Sequence, residues 1–300
     1  MKTYKISLIL FFVSALAFCN VSIKEKEALV SIYNATQGQN WTSSWNLETP
    51  VHTWSGVTVE DNKVIALDLS FNNLQGQLPE QIGDLIYLKE LVLFRNKLEG
   101  SIPNSIGNLN ELKILNLAFN KLNGTLPSSI GNLTSLVTLE VFMNNLEGEI
   151  PSTIGQLNSL EKIEMFSNNF SGNIPLEIGA LTNLKELYLS SNNLSGRIPS
   201  TLKNLSELQT LSLFDNKLIG AVPSDLGKLA KLEELILSDN LLYGLVPMEL
   251  ANLTNLKVLM LNNNDIKGDL SGLAAALPPT IMFEYKNINE KSNSAVVGTD

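Results

Sequence analysis

An α/β solenoid, coils of equal length stacked on a parallel β-sheet, is the fold class that three regularities of this 300-residue sequence predict. The first is a column of asparagine, Asn72, Asn96, Asn120, Asn144, Asn168, Asn192, Asn216, Asn240 and Asn264, which falls every 24 residues without a slip. Equal intervals of this length are the signature of a stacked structural repeat. The second is an apolar pair five and three residues before the asparagine, such as Leu91 and Leu93, Leu115 and Leu117, Leu187 and Leu189, or Leu235 and Leu237. The third is glycine four residues after it, with an apolar-proline pair just beyond, as at Gly100 with Ile102-Pro103 and Gly196 with Ile198-Pro199.

Each element of the coil follows from residue chemistry. The apolar pair at period two makes a short strand with one buried face. A further apolar residue stands two after the asparagine (Leu98, Leu122, Leu146, Phe170, Leu194). The glycine admits a backbone conformation that a side chain would penalise, and proline forbids another ladder hydrogen bond. The strand is therefore expected to stop there at once, and the chain to return along a different layer. A second apolar-glycine pair (Ile82-Gly83, Ile106-Gly107, Ile130-Gly131, Ile154-Gly155, Ile178-Gly179) and a following leucine (Leu85, Leu109, Leu133, Leu157, Leu181) carry that return as a short helical or extended stretch. Stacking sets equivalent strands about 4.8 Å apart with leucine buried between the layers. The asparagine column then offers carboxamides, each with two donors and an acceptor, to backbone groups that would otherwise be buried unpaired at the bend. These framework residues are structural, and function must be sought elsewhere.

The unit L-x-x-L-x-L-x-x-N-x-L-x-G-x-I-P-x-x-I-G-x-L-x-x, read from Leu88 to Asn110 and again from Leu184 to Leu205, resembles the plant-specific subclass of leucine-rich repeats and spans about 225 residues. That subclass occurs in plant receptor ectodomains, polygalacturonase-inhibiting proteins and secreted bacterial proteins. The resemblance implies a right-handed superhelix of about nine full repeats with N- and C-terminal caps and its parallel sheet on the concave face. It implies binding without naming the ligand, because a fold does not specify a function.

Along the chain, residues 1–19 read as a secretory signal peptide: Lys2 and Lys5, an apolar run from Ile6 to Phe18, then a shift to charge at Lys24. A run of about 13 apolar-rich residues is short for a bilayer span, so export and cleavage after Ala17 or Cys19 are expected. Lipid attachment at Cys19 is the alternative, for which Phe18 is a poor preceding residue. Cys19 is the sole cysteine, so no intramolecular disulfide can form. Residues 20–63 are the N-terminal cap, with a helix through Glu27–Val30 and Ile32-Tyr33, a core of Trp41, Trp45 and Trp54, and a hairpin turn at Asp61-Asn62. In plant members a cysteine pair flanks the tryptophan of W-x-G-V; His52 and Val59 stand at those places here, a departure that favours the bacterial relatives. Repeats run over 64–277. The frame then decays, with Ser271 for proline, Ala274-Ala275 for the apolar-glycine pair, and Phe283 and Tyr285 where the next strand's leucines would fall. Residues 278–300 read as a capping strand, Ile281 to Lys286, and a loose tail. No second apolar span follows, so no transmembrane segment is expected once the leader is removed.

Composition narrows the function. The formal net charge is −9, about −11 without Lys2 and Lys5, and Arg95 and Arg197 are the only arginines. A phosphate-binding surface needs clustered cations, so nucleic acid is excluded as a partner. His52 is the only histidine, which rules out a multi-histidine metal site and leaves a packing or surface role in the cap. The glycines are periodic turn residues and form no phosphate loop. Glu140 and Glu164 should stand one above the other on adjacent strands; on an open, solvated sheet nothing would desolvate them or separate their pKa values, so they read as an acidic patch. No catalytic residue, metal or cofactor is assigned, and the chain is read as no enzyme.

The outward positions of the strand remain, on the concave face that such arrays use for binding. Phe71, Phe94, Phe119, Phe142, Met143, Phe166, Tyr188 and Phe214 fall there, weighted toward the first half of the array. With Arg95, Glu140 and Glu164 they form the candidate ligand-binding set, and Lys89 and Glu161 extend its polar rim. A contiguous exposed aromatic strip marks an interaction site, unless the rings merely stack along the ladder and stabilise the sheet. The function read from these residues is a secreted or cell-surface (extracellular or periplasmic) module that binds a protein or peptide. An extracellular carbohydrate-binding or adhesion protein, whose rings would stack on glycan, and an inhibitor of a secreted polysaccharide hydrolase are the alternatives. Replacing Phe94, Phe142 and Phe166 by serine is expected to abolish binding while hardly moving the melting temperature.

Overall fold

In the coil that starts at Leu88, the inward side chains Leu91, Leu93, Leu98, Ile106, Leu109 and Leu112 are all fully buried. The strand Glu90–Val92 leads in, a second strand Lys97–Gly100 carries Leu98, and a 3-10 helix Asn104–Asn108 takes Ile106 back toward the start. Burial of each such side chain contributes on the order of 1.5–3 kcal/mol, and a coil achieves it only with neighbours above and below. The structure, a computed structural model, describes residues 21–286. The expected leader 1–19, with Cys19, and the tail from Asn287 lie outside the described residues.

Among the described residues the strands form an eleven-stranded and a nine-stranded sheet. The larger, concave sheet begins with the hairpin β1 (Val57–Glu60) and β2 (Lys63–Asp68), which pair antiparallel. Its turn residues Asp61 and Asn62 have φ of +48° and +63°, the left-handed pair that a two-residue turn of this hand requires. From β2 onward all pairing is parallel and shifted by one repeat, so that Leu67 faces Leu91, Leu91 faces Leu115, and Leu115 faces Leu139. The last strand, Met282–Glu284, sets Phe283 against Leu259.

The nine-stranded sheet corrects the sequence reading. The chain does not leave the ladder at the glycine; it makes a second parallel strand there, as in Asn145–Glu149, with Gly148 inside it at φ +77°. Proline costs this ladder nothing, because Pro151 lies beyond the last paired residue and precedes the 3-10 helix Ser152–Gln156. The return leg, left open between helical and extended, is a five-residue 3-10 helix in each repeat from Glu80 to Asn252. Neighbouring return legs approach closely: a Cβ on Gly107 would lie 2.5 Å from the Ser129 carbonyl oxygen, so only glycine fits.

Asparagine binds coil to coil. Oδ1 of Asn144 accepts from the Leu122 N–H at 3.0 Å, while its Nδ2 donates to the carbonyls of Leu117 at 3.0 Å and Val141 at 3.1 Å. Asn168 repeats the pattern one coil later with Leu146, Val141 and Met165.

At the N-terminal end, helix α1 (Ile23–Ala35) lies over the first coil. Ser22 accepts from the Glu25 N–H at 3.2 Å and donates to its carboxylate at 2.7 Å, and the other carboxylate oxygen of this buried glutamate accepts from the Val64 N–H at 2.9 Å. Trp45 stacks on Trp54 at 4.8 Å and meets Trp41 edge-on at 4.9 Å, all three buried. His52 is exposed beside them. At the other end a seven-residue helix α2 (Leu270–Ala276), capped by Asp269, replaces the 3-10 return.

Candidate functional site

The backbone of the concave sheet decides where the aromatic residues go. Alternate strand positions point outward, which brings Phe94, Phe142 and Phe166 to the surface two residues before their asparagines. The next residue in each coil is left-handed, although none is glycine: Phe71, Arg95, Phe119, Met143, Ser167, Ser191, Asp215, Asp239 and Asn263 have φ between +51° and +57°. That bend turns the N–H of Phe71 toward the Phe94 carbonyl and that of Phe119 toward the Phe142 carbonyl, each at 3.0 Å. A ring from this position therefore lands beside a ring from the preceding column of the next coil.

Five rings form a continuous ladder. Phe71 meets Phe94 edge-on at 5.3 Å, Phe94 meets Phe119 at 5.5 Å, Phe119 meets Phe142 at 5.9 Å, and Phe142 stacks on Phe166 at 4.5 Å. Ala118 stands between Phe94 and Phe142 in its column, and its small, fully buried side chain lets those two rings approach to 6.3 Å across a whole coil. The guanidinium of Arg95 lies 5.4 Å from the Phe71 ring and 5.8 Å from the Phe119 ring, within cation–π range of both. Phe71 remains 59% exposed, Phe119 and Met143 about 40%, while Phe94, Phe142 and Phe166 are half-buried by their neighbours.

The ladder ends sooner than the sequence reading has it. Ser190 follows Phe166 in the column, so Phe214, although exposed, makes no ring contact among the described residues. Tyr188 belongs to a different column, opposite Glu164, and burial pushes its phenol pKa up.

The expected acidic patch is a charge cluster organised by a lysine. Glu140 and Glu164 do stand on adjacent strands, but Lys162 reaches both at 3.1 Å and Glu186 at 3.9 Å. Asn116 donates to the second oxygen of Glu140. Desolvation raises the Glu164 pKa above its ordinary value despite the hydrogen bond from Lys162, which corrects the expectation that nothing there desolvates a carboxylate. Lys162 itself is raised: burial works against its charge, and the bonds to Glu140 and Glu164 outweigh burial. On the rim, Lys89 pairs with Glu60 at 3.7 Å and Glu161 with Lys185 at 2.6 Å.

Residues 62–196 match the family model described as a leucine-rich repeat region, and residues 207–229 and 231–253 match the leucine-rich repeat model. A plant peptide hormone receptor, RGFR1, solved in complex with RGF2, is 36% identical over 75% of this chain and 36% of that one, with a TM-score of 0.72. The fold is that of leucine-rich repeats. A leucine-rich-repeat protein of Leptospira interrogans is 33% identical over 72% of this chain and 53% of its own, with a TM-score of 0.63. A plant ice-binding protein is 29% identical over 89% of this chain and 88% of its own, with a TM-score of 0.76. The chain spans less than half the length of the plant receptor chains it matches.

Two features of this leucine-rich-repeat surface escaped the sequence reading. Lys162 lies two residues before Glu164 on the same outward face of its strand, in a column without aromatic residues, so the aromatic pattern does not reveal it. On the outer sheet Ile219, Leu241, Tyr243 and Leu245 are 41–73% exposed, where most equivalent leucine-rich-repeat positions in earlier coils are polar, such as Asn169, Ser171 and Asn173. Reading the odd positions after each asparagine would have found that patch.

Proposed function

We propose that the protein is a secreted, non-catalytic recognition module that holds a protein or peptide segment on its concave face. The observation that carries this reading is the ladder of Phe71, Phe94, Phe119, Phe142 and Phe166 with Arg95 set between two of its rings. Rings that still expose their faces after packing on one another leave apolar area for a partner to cover, and aromatic and arginine side chains dominate interface energetics. The solved complex of a similar receptor with RGF2 supports a peptide as the kind of partner. Capture from culture medium by the immobilised protein, compared with its Phe94→Ser/Phe142→Ser/Phe166→Ser variant, tests the reading. A partner retained equally by both removes the concave ladder from the function.

A second reading, attachment to a regular solid surface, is favoured by the match along nearly the full length of an ice-binding protein. The return legs do carry a row of hydroxyls, with Ser129, Thr153 and Thr201 each bonded to a carbonyl of the preceding coil. Glu177 and Asp225 interrupt that row, which ranks this reading second. Thermal hysteresis of a protein solution measures it directly.

A further inference from the structure

The concave strip carries opposite charge in its two halves: Arg95 stands among the rings one coil inside the Phe71 end of the ladder, and a carboxylate cluster stands beside the Phe142 and Phe166 end. Arg95 is exposed and held against Phe71 and Phe119, and among the described residues no carboxylate lies within ion-pair distance of it. In the other half three carboxylates, Glu140, Glu164 and Glu186, share the single cation Lys162, so negative charge is in excess. Phe142 and Phe166 belong to the same coils as Glu140 and Glu164, which makes the rings and both charged halves one surface.

Resting on the proposed function, we infer that the occupant of this strip is an extended peptide segment that seats a carboxylate on Arg95, apolar side chains against the rings, and a basic side chain at the Glu140, Glu164 and Glu186 cluster. The spacing is set by the solenoid. The coils of Arg95 and Glu164 are three apart, about 14 Å at the spacing of paired strands, and the two residues are offset by three positions along the strand, roughly 10 Å across; an extended segment covers the diagonal of about 17 Å in about five residues. The arrangement is directional, because a segment laid the other way would set its acid on the carboxylates and its base on the arginine. The formal charge of −9 draws the basic end in at long range, and Arg95 then fixes which way the segment lies.

Selection of a displayed random peptide library on the immobilised full chain tests this. Enriched peptides should carry an acidic and a basic residue about five apart, in one favoured order, with a large apolar residue between. Arg95→Glu should weaken those peptides roughly tenfold or more, and exchanging their acid for lysine should restore binding to that variant alone. Arg197→Glu, on the outer sheet, should change nothing. Peptides that depend on Phe94, Phe142 and Phe166 but show no charge order and ignore Arg95→Glu overturn the inference and leave the proposed function standing. Enrichment of no peptide that depends on those rings, in a triple variant whose circular dichroism shows it folded, overturns both.

Discussion

Phe142 and Phe166 stack with centroids 4.5 Å apart and planes 11° from parallel, one coil above the other in the same column. That distance is close to the spacing of paired strands, so the sheet itself delivers the two rings face to face. Elsewhere on the ladder the partners come mostly from different columns and meet edge-on. The rings therefore pack on one another along the sheet and still leave apolar area exposed on the same face.

A first prediction revises the expectation that serine replacements hardly move the melting temperature. Phe166→Ser alone should cost about 0.5–1.5 kcal/mol from the lost stack, seen as a modest fall in the denaturation midpoint. The triple variant should lose partner capture entirely and remain folded. Unchanged stability of Phe166→Ser would show that the stack contributes nothing.

The asparagine ladder should be less tolerant. Asn144→Leu leaves the buried Leu122 N–H without its partner and takes one of two asparagine donors from each of the Leu117 and Val141 carbonyls, which keep Asn120 and Asn168. At about 1–3 kcal/mol for the one buried group left unpaired, a loss of that size is expected in urea titration. Amide exchange should rise in the coils on either side first, because each coil contacts only its neighbours.

The charge cluster predicts a pH dependence of defined sign. The folded pKa of Glu164 lies above its ordinary value of 4.5, mainly through burial, so the folded state holds the proton more tightly than the unfolded one. Between 4.5 and that raised value stability should fall as pH rises, because ionising Glu164 in place is costly. Lys162, raised above 10.5, contributes stability below that value which is lost as pH rises through its folded pKa. Denaturation midpoints of the protein and Glu164→Gln across the acid range should converge at the low end, with the slope flatter in the variant. Equal slopes would remove Glu164 as its source.

Left-handed backbone at half-buried Ser191, φ +51°, makes this position unusually sensitive to shape. Ser191→Val should cost about 1–2 kcal/mol and Ser191→Gly should be neutral or mildly stabilising, as read by thermal melts. Valine tolerated without loss would mean that the bend is not maintained in solution.

The buried Glu25 supplies a last test. Its carboxylate joins Ser22 at the start of α1 to the Val64 N–H of β2. Glu25→Ala should cost about 1–3 kcal/mol, enough to loosen the cap, and tryptophan fluorescence should report it because the Trp41, Trp45 and Trp54 cluster packs beneath the same helix.

Periodicity was enough to establish the coil length, the buried leucines, the hairpin at Asp61-Asn62 and the role of asparagine, because each depends on residues near in sequence or repeated at a constant interval. It also placed the aromatic residues on one face. It did not show the second sheet, since glycine and proline read as a stop when their place relative to the last paired residue was unknown. Nor could it show which rings touch. Phe119 and Phe142 stand in different columns, and they meet because a left-handed residue, held by the bond from the Phe119 N–H to the Phe142 carbonyl, swings one column toward the next coil. In the same way Lys162 joins Glu140 to Glu164, and Phe214 is left apart from the ladder. Such contacts depend on how coils lie on one another, and the backbone angle that governs it is set by hydrogen bonds between coils, which a reading of one coil at a time does not contain.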